Sequence, residues 1–290
     1  MQRDEPFLKW PGGKRWIAEA IARLLSAPRG RYFEPFLGAG AVFFALRTSD
    51  AVLSDTNRDL IEAFVAVRDH GPALIDDLRV LPVDERTFHL LRSRKPASPL
   101  ETATRMIYLN RTAFNGLWRV NQLGEFNVPF GCKPGTTPVD SERVARCAEI
   151  LQGTSLLCSD FRDRLDEPRA GDRVYLDPPY TVMHSNNGFR RYNERIFSWA
   201  DQCDLAAAAT DLSARGCHVV VTNAAHGDVA ALYDERLFAR CEVNRHSRIA
   251  AAAQHRRSAV ELLLISRHSL PRQESLISQL ATSGIAAMPV

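Results

Sequence analysis

The chain has 290 residues, 45% of them hydrophobic and 24% charged, with a net charge of +3. That allows one large domain or two small ones with a true core. It is too nearly neutral for bulk charge to argue for a polyanionic partner, so any such argument rests on local clusters. The six cysteines form no C-x-x-C pair and no zinc spacing; they read as free thiols of a reducing cytoplasm, and no metal is expected. No apolar run approaches the ~20 residues needed to cross a bilayer. Asp4, Glu5 and Pro6 are unlike a signal peptide. A cytoplasmic protein with no membrane partner is expected.

The first motif is Phe7-Leu8-Lys9-Trp10-Pro11-Gly12-Gly13-Lys14, with Lys14 opening a helical pattern that runs to about Leu25. Glycines before a lysine invite a phosphate-loop reading, but the full G-x-x-x-x-G-K-[ST] pattern is absent and Arg15 stands where the hydroxyl belongs. Two readings stay open: a structural turn with Trp10 in the core, or a loop presenting one cation and one indole.

Next comes Tyr32-Phe33-Glu34-Pro35-Phe36-Leu37-Gly38-Ala39-Gly40, then a helical stretch from Ala41 to Leu46. Strand, Gly-rich turn and helix form the first unit of a nucleotide-binding α/β fold. Seventeen residues after Gly38, the strand Ala51-Val52-Leu53 ends at Asp55, where such folds hold ribose hydroxyls. The third glycine of the dinucleotide fingerprint is missing, which favours an adenosine-containing ligand without a pyrophosphate.

From about Leu60 to Leu109 the pattern is helical and charged, with Pro72, Pro82, Pro96 and Pro99 as breakers. This predicts a helical insertion interrupting the sheet. It ends in Asn110-Arg111-Thr112-Ala113-Phe114-Asn115-Gly116-Leu117-Trp118-Arg119-Val120-Asn121, then Gly124-Glu125-Phe126-Asn127-Val128-Pro129-Phe130-Gly131. Asn and Arg make bidentate contacts to base edges, and aromatics stack or wedge between bases. With Arg111, Arg119 and Lys133 nearby, this stretch is a candidate nucleic-acid surface, against the alternative of a polar loop with anchoring aromatics.

Strands resume at Ser155-Leu156-Leu157-Cys158, followed by Asp160-Phe161. Then comes Val174-Tyr175-Leu176-Asp177-Pro178-Pro179-Tyr180. The apolar triplet reads as a buried strand, and the prolines forbid further ladder pairing. Asp177 and Tyr180 are thus delivered to a strand's C-terminal edge, where α/β sheets bind ligands. The carboxylate and the carbonyls flanking the prolines are acceptors suited to an amino group, and Tyr180 offers a flat face. His184 to Tyr192, with Arg190 and Arg191, has lid character. Ser198-Trp199-Ala200-Asp201 resembles a capping box before an alanine-rich helix stopping near Gly216. His218-Val219-Val220-Val221-Thr222 is another buried strand. Cys241-Glu242-Val243 and Val260 to Ile265 predict an antiparallel pair whose tip carries Arg245, His246, Arg248, His255, Arg256 and Arg257, a candidate phosphate contact. After Pro271 the pattern is lost and a poorly ordered tail is expected.

Taken in order, the Lys-Trp-Pro-Gly-Gly-Lys start, Glu-Pro-Phe-x-Gly-x-Gly, Ser54-Asp55-x-Asn57, Asn-Gly-Leu-x-Arg, Gly-Glu-Phe-Asn-Val-Pro-Phe-Gly and Asp-Pro-Pro-Tyr resemble the Dam family of DNA adenine-N(6) methyltransferases from Phe7 to about Ile265. The resemblance implies a Rossmann-like α/β sheet of the S-adenosylmethionine-dependent methyltransferase type with an inserted, mainly helical target-recognition domain. The catalytic domain would span 1–59 and 139–270, the recognition domain 60–138, and a flexible tail 271–290. S-adenosyl-L-methionine would lie across Gly38 and Gly40, its ribose on Asp55, with Asp160 and Phe161 beside its adenine and Trp10 and Lys14 over its other end; Phe36 and Asp177 would also contact it. Asp177 and the Pro178 carbonyl would accept the hydrogens of a flipped adenine's amine, with Tyr180 stacked on the ring. Arg119 falls on the guanine-reading position and Leu117 and Pro129 on neighbouring base contacts, which implies double-stranded DNA with a GATC-like target. Arg111, Asn115, Asn121, Arg190, Arg248, Arg256 and Arg257 complete the expected DNA surface. A monomer near the nucleoid is expected, with a separately encoded restriction nuclease as a possible partner. Trp118 and Val120, the segment from Cys132 to Thr136, and Ala250 to Ala253 depart from the family pattern. A Pro-Pro-Tyr loop also serves enzymes acting on protein glutamines, but those begin the motif with Asn, and Asp177 argues against them. An RNA adenine methyltransferase and a DNA-binding protein without catalysis stay open as alternatives.

Overall fold

The computed structural model describes residues 5–26, 30–121, 123–180, 197–245, 259–270 and 276–289. In chain order its main elements are α1 (Ala18–Leu24), β1 (Tyr32–Glu34), α2 (Ala41–Leu46), β2 (Ala51–Asp55), α3 (Arg58–Arg79), α4 (Glu85–Ser93), α5 (Pro99–Thr112), α6 (Ser141–Ile150), β3 (Ser155–Cys158), β4 (Arg173–Leu176), α7 (Trp199–Ala214), β5 (His218–Ala224), α8 (Gly227–Ala231), β6 (Phe238–Arg245), β7 (Ala259–Ser266), α9 (Leu276–Thr282) and β8 (Ala287–Pro289). The chain divides into two compact units, Met1–Arg15 with Leu37–Asp160, and Trp16–Phe36 with Phe161–Val290. The expected recognition segment, 60–138, lies wholly inside the first.

In the first unit β2 and β3 pair in parallel, Asp55 opposite Cys158. The apolar run of β2 is buried up to Ser54, and Asp55 sits half-buried at its end. The helices begin where short polar side chains satisfy orphan N–H groups: Asn57 accepts from Leu60, Asp84 from Thr87, and Ser98 from Glu101 with Pro99 in the first turn. Helix α3 packs on α5 and α6. Pro72, expected as a breaker, instead lies inside α3. A proline there removes a ladder bond and crowds the preceding turn, and the helix absorbs this at His70 (φ −131°, ψ 22°) before burying Leu74, Ile75 and Leu78.

In the second unit β1, β4 and β5 are parallel neighbours. Strand β4 and the central residues of β5 are buried throughout, as near-continuous apolar runs require. The expected antiparallel pair is present: β7 lies between β5 and β6, antiparallel to both. The capping box opening α7 is also present, with Ser198 and Asp201 exchanging side chain–backbone bonds. The tail departs from expectation. Residues 276–282 form α9, burying Leu276 and Leu280, and β8 adds to the edge of β6 with Val243 opposite Ala287. Both elements are too short for a visible period, and the edge of β6 supplies the pairing that the sequence does not announce.

Candidate active site

At the end of β2 the Asp55 carboxylate accepts the Gly38 N–H on one oxygen at 3.0 Å and the Asn57 N–H on the other at 2.9 Å. Gly38 and Gly40 have φ of +48° and +68°, where side-chain-bearing residues are strained. A Cβ on Gly38 would lie 3.1 Å from the Trp10 indole, so the turn also needs glycine to let that ring approach. Burial pushes the Asp55 carboxyl upward, against the opposing pull of the Asn57, Gly38 and Thr56 N–H groups. Three backbone donors do not exhaust the lone pairs of two carboxylate oxygens, which leaves room for a ligand hydroxyl. Trp10 is half-buried and stacks on Trp118, with centroids 6.1 Å apart and planes at 18°. Lys14 is buried, its ammonium 3.1 Å from the Gly12 carbonyl. Asp160 follows β3 in the same unit and is half-buried.

The expected recognition segment of this unit turns at Asn115 and Gly116, with φ of +57° and +64°. Bridges Ala113–Phe130 and Val120–Phe126 close it. Asn115, Leu117, Arg119 and Pro129 are exposed on it. Arg119 donates to the Asn127 side chain at 2.8 Å. Two further expected DNA residues have local work: Arg111 donates to the Thr137 carbonyl, and the Asn121 amide closes the turn through Leu123 and Glu125. Trp118, a position read as departing from the family pattern, is buried against Phe126 and Trp10. Arg190, Arg248, Arg256 and Arg257 lie outside the described residues.

No local signal in the sequence marks Lys9. Its backbone N–H bonds the buried Asn110 side chain, and its ammonium end lies against Gly116. Partial burial, then Arg15, Arg111, Lys133 and Arg143, hold its pKa below the usual lysine range. The first motif and the 111–133 stretch therefore share a cluster of cations.

In the second unit β4 delivers Asp177 and Tyr180 as expected, both half-buried. Asp177 accepts the Thr222 hydroxyl at 2.7 Å, and Thr222 in turn meets the buried Tyr175 hydroxyl at 2.9 Å. The Tyr180 hydroxyl donates to Glu261 at 2.9 Å. The capping box fixes the start of α7, whose first turn carries buried Gln202; this donates to the Pro179 carbonyl at 3.2 Å and accepts from Asn223 at 2.9 Å. The turn is therefore not a bare set of acceptors, because the protein already fills the Pro179 carbonyl and one position on Asp177. Burial, Asp177 and Glu261 push the Tyr180 phenol well above its usual range, so it stays a neutral donor. Phe36 stacks on Phe161 at 5.4 Å and meets Phe197 edge-on at 5.7 Å. Two of the expected cofactor residues thus form an apolar face within this unit. Among the described residues no group of His, Cys, Asp and Glu could hold a metal, and no helix is long and apolar enough to cross a membrane.

The first unit thus carries a glycine turn over a strand-end carboxylate, and the second an Asp-Pro-Pro-Tyr turn at the end of a buried strand. The chain belongs to the D12 class N6 adenine-specific DNA methyltransferases, whose family model matches residues 10–249. It is 33% identical over 250 residues to the type II methyltransferase M1.LlaDCHI of Lactococcus lactis subsp. cremoris, covering 83% of this chain and 88% of the relative. It is 38% identical over 221 residues to the DNA adenine methylase of Serratia marcescens, covering 73% and 80% respectively. The DNA adenine methylase of Escherichia coli K12 is 34% identical over 230 residues, covering 77% and 82%. The family read from the ordered motifs is borne out, and so is the mixed α/β class, with parallel strands followed by an antiparallel hairpin.

Proposed function

We propose that this enzyme transfers the methyl group of S-adenosyl-L-methionine to the exocyclic amine of an adenine flipped out of duplex DNA, within a GATC-like sequence. The observation that carries the reading is the Asp177–Tyr180 turn, whose carboxylate is aimed by Thr222 and whose ring is tethered by Glu261.

The residues fit the cofactor. The Gly38 turn is a cradle that a side chain would fill, Asp55 offers lone pairs to a ribose diol, and Phe36 and Phe161 offer an apolar face to adenine. In this reading Gly40 completes the turn, Asp160 borders the adenine, and Trp10 and Lys14 cover the amino-acid end. Bound there, S-adenosyl-L-methionine supplies an electrophilic methyl on a sulfonium. The DNA is assigned to the 113–130 segment: Arg119 reads guanine, Leu117 and Pro129 contact neighbouring bases, and Asn115 and Lys9 approach the same site. Arg111 and Asn121 shape that surface, and the arginines at 190, 248, 256 and 257 are assigned to phosphates.

Adenine's amine is a poor nucleophile because its lone pair is delocalised into the ring. Extruding the base costs a few kcal/mol, and Tyr180 compensates by stacking. Asp177 and the Pro178 carbonyl accept the two amine hydrogens, which turns nitrogen toward tetrahedral geometry and localises the lone pair. Positive charge develops on nitrogen, and fixed acceptors stabilise it without reorganising. Alignment for in-line transfer adds a proximity gain. The proton is then lost from nitrogen toward Asp177.

The test is methylome sequencing after expression in a host lacking adenine methylation, alongside transfer of labelled methyl to unmethylated duplex DNA and to RNA. Methyladenine confined to GATC-like sites is expected. A different motif would overturn the target assignment, and label on RNA alone would overturn the substrate.

A further inference from the structure

Stacking on an extruded base requires a ring held at one tilt. The prolines before Tyr180 fix its backbone but leave its side-chain torsions open. A polar tether is present: the Tyr180 hydroxyl donates to Glu261 Oε2 at 2.9 Å. Glu261 is 3% exposed and sits on β7 between two strands, opposite Ala224 of β5 and Val243 of β6. It is the charged residue in an otherwise apolar Val-Glu-Leu-Leu-Leu-Ile run. A buried carboxylate is costly unless hydrogen-bonded, so a strand position that an aliphatic residue would fill at lower cost carries a carboxylate facing the motif's tyrosine.

We propose that Glu261 is a positioning residue for base capture, holding the Tyr180 hydroxyl so that the ring plane is preset to receive the flipped adenine. This rests on the base-flipping reading given above. Glu261 touches neither substrate nor cofactor in this assignment; it acts through Tyr180. The neutral phenol is the donor and the carboxylate the acceptor, so Gln can substitute as acceptor and Leu cannot.

The experiment places 2-aminopurine at the target adenine of a duplex and follows its emission, which rises on unstacking, when full-length enzyme and S-adenosylhomocysteine are added. Glu261→Leu, Glu261→Gln, Tyr180→Phe and the Leu/Phe double variant are compared, together with their thermal unfolding and their kcat and KM. Glu261→Leu and Tyr180→Phe should each change the emission amplitude and lower kcat about tenfold, the scale of one hydrogen bond to a charged group. The double variant should be no worse than either single one, since both remove the same bond. Glu261→Gln should recover most of the signal. Wild-type emission and kcat in Tyr180→Phe would overturn the proposal even if Glu261→Leu fails to fold. Additive losses in the double variant would also overturn it. No emission change in the wild-type enzyme would instead remove the base-flipping reading, and this proposal with it.

Discussion

The Asp177–Tyr180 turn and the 113–130 segment are held in different ways. The turn draws its polar partners from distant elements: Thr222, Glu261 and Gln202 lie 45, 81 and 23 residues away in sequence and are buried. The segment's own side-chain bonds are short-range, Arg119 to Asn127 across 8 residues and Asn121 to Glu125 across 4, while its apolar side is anchored from outside by Trp10 on Trp118 and by Arg92, which donates to the Phe126 carbonyl. A group tied to sheet strands inherits their rigidity, because moving it disrupts the core. A surface segment anchored by its buried aromatics can still change its exposed residues without disturbing the sheet. In the proposed reading, the geometry of methyl transfer belongs to the frame, and the choice of sequence to a surface that can vary.

Breaking the comparison at its strongest point, Asp177→Ala should lower methyl transfer by about 10³-fold or more, the scale of losing a preorganised electrostatic partner in a closed site. The fold should persist, with stability lowered by about 1–3 kcal/mol as the buried Thr222 hydroxyl loses its acceptor. Transfer that survives at near wild-type rate would remove Asp177 from the chemistry. On the other side, Arg119→Ala should cost about 1–3 kcal/mol of discrimination at one base pair. Competition between cognate and single-substituted duplexes measures this. A uniform loss across all duplexes would make Arg119 a phosphate contact. A smaller effect is expected from Thr222→Val, which keeps the shape and removes the hydroxyl. The kcat should fall about tenfold as Asp177 loses its orienting bond, and stability should fall by about 1–3 kcal/mol because the buried Tyr175 hydroxyl loses a partner. A large loss of stability with unchanged kcat would show that Thr222 serves the core alone.

What could be read from the sequence follows the same division. Asp-Pro-Pro-Tyr and the Gly38–Asp55 pairing are visible because adjacent prolines and closely spaced glycines constrain the backbone locally. Thr222, Gln202 and Glu261 were invisible in their roles, since nothing local distinguishes a polar residue in a strand or helix from one that faces a site. Trp118 read as a departure from the family, yet it packs between Trp10 and Phe126. That pairing joins positions more than a hundred residues apart. Pro72 misled in the other direction: the local rule against a helix-interior proline is real, but the packing of α3 on α5 and α6 outweighs it.

The subtlest contrast is one of pH, and it concerns Asp55. Burial raises its carboxyl pKa against three backbone N–H groups that lower it. An acid raised in the folded state favours the protonated form there. Its contribution to folding is therefore fully present below the unfolded value and is lost as pH rises through the folded one. Ligand binding runs the other way, because only the ionised carboxylate accepts from both hydroxyls of a ribose. Affinity for S-adenosylhomocysteine should hold at neutral pH and fall by up to about tenfold per unit once pH drops below the raised value. That fall should begin above the ordinary aspartate value of about 3.9. Calorimetric titration between mildly acidic and neutral pH measures it, and Asp55→Asn should bind weakly with a flat profile over the same range. A wild-type profile flat down to the ordinary aspartate range would mean that the Asp55 carboxylate does not carry the ribose, and that the Gly38 turn recognises the cofactor through its backbone alone.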